Sequence, residues 1–154
     1  MQASPARKGV ALSERVAIRT ERAPAPFQGS PYSQAIRAGG LVFVAGQLGG
    51  APGASELAGS TIEEQTEQAL QNLRAILEAA GSDLDRVVKT TVFLTDLANF
   101  PGMNEVYRRH LGESPPARST VGIAALPSGA LIEIEAIALA PDPAPPATAS
   151  AANR

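Results

Sequence analysis

The stretch STIEEQTEQALQNLRAILEAAG, residues 60–81, constrains the fold more than any other part of the chain. Its apolar side chains recur at spacings of three, four and seven residues, so they form one stripe along a helix. The stripe consists of Ile62, Ala69, Leu70, Leu73, Ile76, Leu77 and Ala80. Thr61 and Glu64 match a capping box, and Gly81 is typical of a helix end. A helix with one apolar face needs a partner surface, and we expect a β-sheet.

Other segments predict the strands of that sheet. Alternating or β-branched patterns occur in RVAIRT (15–20), RVVKTTVFLTD (86–96), RSTVGIAAL (118–126) and LIEIEAIALA (131–140). SQAIRAGGLVFVAGQ predicts a hairpin around Gly39-Gly40. The turn Pro127-Ser128-Gly129 predicts that the last two strands form a second hairpin.

A shorter helix is predicted over NFPGMNEVYRRHLG, residues 99–112. Asn99 is a plausible cap, Pro101 is tolerated in a first turn, and Gly112 ends the pattern. The resulting order is strand, hairpin, helix, strand, helix, hairpin. It predicts an α+β fold, in which a mixed six-stranded sheet carries two helices on one face. Because the other face would still carry apolar side chains, we expect a homo-oligomer that buries it.

Composition limits the classes of function. The chain has 154 residues, which favours one domain, with a folded part at 14–140 between unpatterned ends at 1–13 and 141–154 that we expect to be disordered. A net charge of -2 argues against a nucleic-acid surface, and the absence of an 18-residue apolar run against a membrane span. With no cysteine and one histidine, His110, expected at a solvated helix position, we predict no metal site. The early residues lack a secretory apolar block, so a cytoplasmic location is expected.

Two acids in an otherwise apolar strand are the most informative local feature. Glu133 and Glu135 point to the same face of LIEIEAIALA, since side chains alternate along a strand. If buried, they need a cation, and Arg118 is a candidate because it opens the strand predicted to pair with this one. The alternatives are a solvated edge strand for the acids and a structural ion pair for the arginine.

Two further polar residues have a functional and a plain interpretation. Tyr32, in the turn SPYSQA, either closes a pocket with its phenol or is exposed. Asn104 occupies a helix position where Ala or Lys is intrinsically better, and is otherwise a solvated surface residue.

Four stretches together resemble the RidA family, also called YjgF/YER057c-type enamine/imine deaminases. They are SPYSQA (30–35), LVFVAGQLG (41–49), VVKTTVFLTDLANFPGMNEVY (87–107) and PPARSTVGIAALPSGALIEIEAIA (116–138). The resemblance covers roughly residues 15–140. It implies a chorismate-mutase-like trimer with a barrel-like core and sites at the subunit interfaces.

The resemblance also implies roles for individual residues. Arg118 corresponds to the carboxylate-binding arginine, Glu133 to the water-positioning acid, and Tyr32 and Asn104 to pocket residues. The pocket backbone matches Ala45 and Gly46, where many members have SGQ rather than AGQ. Thr120 stands where many members have cysteine, and GS precedes Pro31 instead of GP, so the substrate range can differ.

The implied activity is hydrolysis of 2-enamino and 2-imino acids, such as 2-iminopropanoate and 2-iminobutanoate, to 2-keto acids and ammonia without a cofactor. Arg118 would grip the carboxylate, and Glu133 would accept a proton from the attacking water. Glu135 has no catalytic explanation, and Lys89 or Arg74 of a neighbouring subunit would be its cation. The alternatives are a carboxylate-binding regulatory trimer and an RNA-cleaving translation inhibitor, which the acidic pI disfavours.

Overall fold

A computed structural model describes residues 14–142. The segment 1–13 and all but the first two residues of the segment 141–154, both expected to be disordered, lie outside the described residues. The strands are β1 (Val16–Ile18), β2 (Ala35–Ala38), β3 (Leu41–Leu48), β4 (Val87–Leu94), β5 (Ala117–Gly122) and β6 (Ile132–Leu139). The helices are α1 (Ile62–Ala79) and α2 (Phe100–Leu111). This is the predicted α+β order, with β5 ending four residues earlier than the sequence pattern suggests.

The six strands form one mixed sheet in the order β1-β2-β3-β6-β4-β5. Only β4 and β5 are parallel, and α2 connects them. The hairpin around Gly39-Gly40 is confirmed, because β2 and β3 pair directly. The hairpin predicted for β5 and β6 is wrong: residues 127–129 do form a turn, but β6 inserts between β3 and β4. Arg118 therefore does not open the strand that pairs with the one carrying Glu133.

Helix α1 follows its sequence signals closely. The Thr61 side chain accepts a hydrogen bond from the Glu64 amide, and the Glu64 carboxylate accepts one from the Thr61 amide. Gly81 adopts φ of +79°, as expected just beyond a helix end. All seven residues of the predicted stripe are buried against the sheet or α2: Ile62, Ala69, Leu70, Leu73, Ile76, Leu77 and Ala80.

Helix α2 departs from its signals in two details. Asn99 precedes the first helical residue, but its side chain makes no capping hydrogen bond. Asp96 instead accepts a hydrogen bond from the Ala98 amide in the short turn before the helix. His110 is not solvated as expected, because its side chain is only 12% exposed and lies 2.8 Å from the Glu67 carboxylate of α1. No helix among residues 14–142 is long and apolar enough to cross a bilayer.

The two faces of the sheet have different surroundings. One face packs against the helices and buries Ile132, Ile134, Ala136 and Ala138 of β6. The opposite face, called here the open face, carries the alternate residues of each strand. Its side chains include Phe43, Val121 and Leu139, each more than 40% exposed in the single chain. An apolar surface of this kind is typical of a subunit interface.

Candidate active site

Arg118 lies on the edge strand β5 and turns toward α2. Its guanidinium carbon is 4.7 Å from the centre of the Tyr107 ring and 5.5 Å from that of Phe100. One guanidinium nitrogen is 3.9 Å from the Met103 sulfur. Neither salt bridge found within residues 14–142 involves Arg118. Two aromatic faces thus hold a half-buried cation whose hydrogen-bond donors are not used by a carboxylate of the described chain.

Asn104 shares a surface cleft with this arginine. The cleft has a volume of about 330 Å³ and is lined by Asn104, Tyr107, Arg108, Gly112, Pro115, Pro116 and Arg118. Residues 104 and 107 are three apart on α2, so both side chains face the same way. Asn104 and Arg118 therefore line the same cleft.

Thr120 lies two residues beyond Arg118 and on the same face of β5. Its hydroxyl oxygen is buried, and it is the one such side-chain atom in the described part of the chain without a hydrogen-bond partner. An unpaired buried hydroxyl is costly, and a bound polar group would relieve that cost.

Glu133 occupies a different part of the sheet. On β6 it lies opposite Leu48 of β3 on one side and Phe93 of β4 on the other. The β3–β6 register shifts between Val44 and Gln47, and this bulge contains Ala45 and Gly46. A Cβ atom added to Gly46 would lie 2.6 Å from the Glu133 carboxyl carbon. The bulge and the glycine together leave room for this carboxyl group, a common use of bulges beside functional residues.

The surroundings of Glu133 shift the pKa of its carboxyl group. Burial raises the pKa of Glu133, and the negative charge of Glu135 raises it further. Neither acid forms a salt bridge within residues 14–142. A carboxyl group with a raised pKa and no fixed cation is suited to accept and return a proton.

The two cations considered for Glu135 differ in position. Lys89 lines the same open-face hollow as Glu135, and its ammonium nitrogen is 3.0 Å from the Ser119 hydroxyl. Arg74 lies on α1, on the other side of the sheet, where its guanidinium is 3.5 Å from His110. Within one chain only Lys89 lies near Glu135; the pairing with a neighbouring subunit stays a prediction.

Tyr32 lies on the Glu133 side of the molecule and not near Arg118. Its hydroxyl accepts a hydrogen bond from the Phe27 amide at 2.6 Å, and the residue is 44% exposed. Tyr32 and Gly46 line one cavity of about 130 Å³ at the end of β3. Ala45 donates its amide to the Gln34 carbonyl, so the bulge is anchored to the segment that follows the tyrosine.

The predicted site residues therefore form two groups that one chain does not bring together. The arginine group contains Arg118, Asn104 and Thr120, and the acid group contains Glu133, Tyr32 and Gly46. Arg118 pairs in register with Thr90, on the helix-covered face, whereas Glu133 points to the open face. The two residues are also two strands apart, or roughly 10 Å across the sheet. A site using both needs more than one copy of the chain.

Sequence reasoning missed the residues that hold the arginine. Tyr107 is buried, and its hydroxyl lies 2.7 Å from the Thr90 hydroxyl. Burial raises the pKa of Tyr107, although the Thr90 hydrogen bond and the charge of Arg118 oppose this. The one available signal was the three-residue spacing of Asn104 and Tyr107, which puts both side chains on one face of α2. The sequence did not show that Arg118 lies beside that face.

The fold and this pair of groups define an α+β protein with an arginine and a separate acid that form no salt bridge within residues 14–142. Residues 20–140 match the family described as Endoribonuclease L-PSP. The chain belongs to this family, which also includes proteins named RidA and YjgF. The predicted resemblance is confirmed.

Individual relatives cover nearly the same part of the chain. The RutC family protein PH0854 of Pyrococcus horikoshii is 52% identical over 121 residues, covering 79% of this chain and 94% of that protein. The 2-iminobutanoate/2-iminopropanoate deaminase of Mus musculus is 44% identical and covers 81% and 91%. Escherichia coli TdcF, solved with bound serine, is 38% identical with a TM-score of 0.76, covering 80% of this chain and 98% of that one.

Proposed function

We propose that this protein hydrolyses reactive 2-imino and 2-enamino acids to 2-keto acids and ammonia. The observation that carries the proposal is Arg118, a cation held by Tyr107 and Phe100 with no acid partner within residues 14–142. A planar guanidinium binds a carboxylate through two parallel hydrogen bonds. Two relatives named 2-iminobutanoate/2-iminopropanoate deaminase, at 42% and 44% identity, and one named Reactive Intermediate Deaminase A, at 50% identity, support the same reaction.

The proposed site is shared between copies of the chain. The arginine group of one copy would face the acid group of the next, with the exposed apolar side chains of the open face buried between them. A closed ring of three copies, as the family resemblance implies, would repeat this heterologous contact three times. Such an arrangement supplies what the single chain lacks, because it places the uncompensated carboxyl group near the unpaired cation.

The chemistry needs few groups. Arg118 holds the substrate carboxylate and so fixes the position of the adjacent C=N carbon. Glu133 accepts a proton from a water molecule as the water oxygen bonds to that carbon. That proton passes to nitrogen and gives a carbinolamine. The hydroxyl proton then also passes to nitrogen as the C–N bond breaks, so ammonia leaves as the carbonyl of the keto acid forms. Glu133 ends in its starting ionisation state, and the net reaction consumes one water per imine.

Keto-acid release from enzymatically generated 2-iminopropanoate tests the proposal. We expect acceleration by the wild type and about a 100-fold loss of kcat/KM in Arg118→Ala, since charged hydrogen bonds to the carboxylate are removed. Arg118→Lys keeps the charge but not the two-pronged geometry, so it should retain partial activity. No acceleration by the wild type, or full activity in Arg118→Ala, would refute the deaminase proposal.

Two other functions have specific support. The serine bound to TdcF favours a carboxylate-binding role, which predicts calorimetric binding of 2-oxobutanoate without turnover of any imine. The family description as an endoribonuclease favours RNA cleavage. That activity would have to survive repurification and the Glu133→Gln substitution, and the net charge of -2 supplies little attraction for phosphates.

A further inference from the structure

Helix α1 buries two amide side chains that its apolar stripe does not explain. Gln65 and Asn72 are each at most 2% exposed, and because they are seven residues apart they lie on the same side of the helix. A buried amide costs free energy unless its donors and its acceptor find hydrogen-bond partners. Most of the partners of these two amides lie outside the helix, at the ends of β3 and β6.

Gln65 joins the loop that follows β3 to the segment that precedes β6. Its amide nitrogen donates to the Gly59 carbonyl at 2.9 Å, and its amide oxygen accepts from the Leu131 amide at 2.8 Å. The Leu131 carbonyl accepts in turn from the Thr95 amide at 3.2 Å. Both backbone groups of Leu131 are therefore fixed, two residues before Glu133.

Asn72 fixes the adjacent end of β3. Its amide nitrogen donates to the Leu48 carbonyl at 3.1 Å and to the Gly50 carbonyl at 2.8 Å, and its oxygen accepts from the Gln68 side chain at 3.0 Å. Leu48 is the residue of β3 that pairs in register with Glu133. Helix α1 thus holds both strands within two residues of the acid, from the face of the sheet opposite to the acid.

The β3 side of Glu133 is the side on which its carboxyl group lies, beside Gly46. Beyond the bulge, β3 and β6 share two register pairs, Gln47 with Ile134 and Leu48 with Glu133. A ladder this short opens more easily than the middle of a sheet. Hydrogen bonds from buried amides oppose that opening, because breaking one leaves a buried polar group without a partner.

We infer that Gln65 and Asn72 are positioning residues for the Glu133 carboxyl group. The inference rests on the proposed function, because it takes Glu133 to be the group that accepts a proton from water. Both amides act through the backbone of β3 and β6, and a small displacement of a reacting group is enough to slow proton transfer. Since they bond to these strand ends and not to β5, their loss should leave the grip of Arg118 on the substrate carboxylate unchanged.

Thr66 offers a matched control on the same helix. It is fully buried, and its hydroxyl donates to the Ile62 carbonyl within α1 at 2.6 Å. Thr66→Val therefore removes a buried hydrogen bond without affecting a strand that holds Glu133. Gln65→Met and Asn72→Leu remove the bonds to the strand ends at similar side-chain volume, and the two variants test the inference independently of each other.

The first experiment measures kcat and KM for 2-iminopropanoate in the wild type and these three variants, well below their unfolding temperatures. We expect Gln65→Met and Asn72→Leu to lower kcat about 10-fold and to change KM less than about 2-fold, because the chemical step is affected and carboxylate binding is not. Thr66→Val should retain the wild-type kcat. Wild-type kcat in both amide variants, or an equal loss in Thr66→Val at equal stability, would overturn the inference.

The NMR signal of the Glu133 carboxyl carbon separates this inference from the deaminase proposal. The same four proteins are labelled with ¹³C at the glutamate carboxyl carbons, and the spectrum of Glu133→Gln assigns the signal. We expect the Glu133 signal to move in Gln65→Met and Asn72→Leu and to stay in place in Thr66→Val. If the wild type hydrolyses no imine but the signal behaves in this way, only the deaminase proposal fails. An unmoved signal in both amide variants would refute the positioning role.

Discussion

Glu133 is the residue whose environment explains most about the proposed chemistry. It lies on an apolar strand, faces away from the helices, and has room for its carboxyl group because a bulge places Gly46 beside it. Its pKa is raised by burial and by Glu135. Sequence alone predicts that Glu133 and Glu135 share a face, but not the bulge, because a bulge depends on the register with a strand about ninety residues earlier.

Gly46→Ala should displace the Glu133 carboxyl group while leaving the fold intact. The added methyl group meets the end of a flexible side chain, and Gly46 does not occupy the left-handed region of backbone space. We expect a loss of stability of roughly 1–3 kcal/mol. Activity should fall about 100-fold, because a small displacement of a reacting group is sufficient. Urea denaturation measures the change in stability, and imine hydrolysis measures the change in activity. A Gly46→Ala variant with wild-type activity would contradict the proposed role of Glu133.

The pH dependence of activity should show an acid limb set by Glu133. Within one chain, burial and the charge of Glu135 raise the pKa of Glu133, whereas Arg118 of the next copy would lower it in the shared site. Activity falls as pH falls through the resulting pKa, because the base becomes protonated. Glu133→Gln should have no such limb and little activity. A kcat/KM profile from pH 4 to pH 8, corrected for spontaneous hydrolysis, provides the measurement.

The Glu133 carboxyl group should also make stability depend on pH. Lower pH should raise stability, whereas it lowers activity. A carboxyl group with a raised folded-state pKa stabilises the fold below 4.5, and this contribution is lost as pH rises through the folded-state pKa. In the dissociated chain, where no Arg118 of another copy faces the carboxyl group, Glu133→Gln should therefore unfold at a higher temperature than the wild type at pH 7, with the difference shrinking at pH 4. A dissociated variant less stable than the wild type at pH 7 would contradict the burial of this charge.

At the scale of elements, local patterns predicted the helices and strands, but not all of their neighbours. The predicted stripe and capping box of α1 are confirmed, because both depend only on residues that are close in sequence. The pairing of β5 with β6 failed because a turn at residues 127–129 changes the direction of the chain without selecting the adjacent strand. The apolar alternation of β6 allows a central position, and there it pairs with β3 and β4.

The Glu67–His110 pair is a polar contact between the two helices. Burial raises the pKa of Glu67, but hydrogen bonds from His110 and Gln71 outweigh it, and the net pKa lies below the usual value. The stabilisation is therefore present above 4.5 and is lost as pH falls through the lowered pKa. Glu67→Gln and His110→Gln should show a coupling free energy of about 0.5 kcal/mol at neutral pH.

A double-mutant cycle by urea denaturation at pH 7 and at pH 3 checks this coupling. Since the chain has one histidine, its imidazole NMR signal reports directly on the pair once any purification tag is removed. Additive effects of the two substitutions at pH 7 would show that the contact does not stabilise the packing of α2 on α1.

At the scale of the whole molecule, the main result is that Arg118 and Glu133 face opposite sides of one sheet. The sequence suggests that the two residues belong together, yet the single chain separates them. Within the described chain, Arg118 and Glu133 are not on paired strands, and their side chains are too short to meet across the sheet. The exposed apolar side chains of the open face, including Phe43, Val121 and Leu139, offer the surface on which another copy would complete the site.

Mixing two inactive variants tests this central claim most directly. Arg118→Ala and Glu133→Gln are dissociated together, reassembled at equal concentrations, and assayed for hydrolysis of 2-iminopropanoate. If each site takes its arginine from one copy and its acid from the next, about a quarter of the sites regain both groups, and activity rises toward about a quarter of the wild-type value. Failure of the mixture to exceed the separate variants, after mass spectrometry has confirmed mixed oligomers, would contradict a site shared between copies.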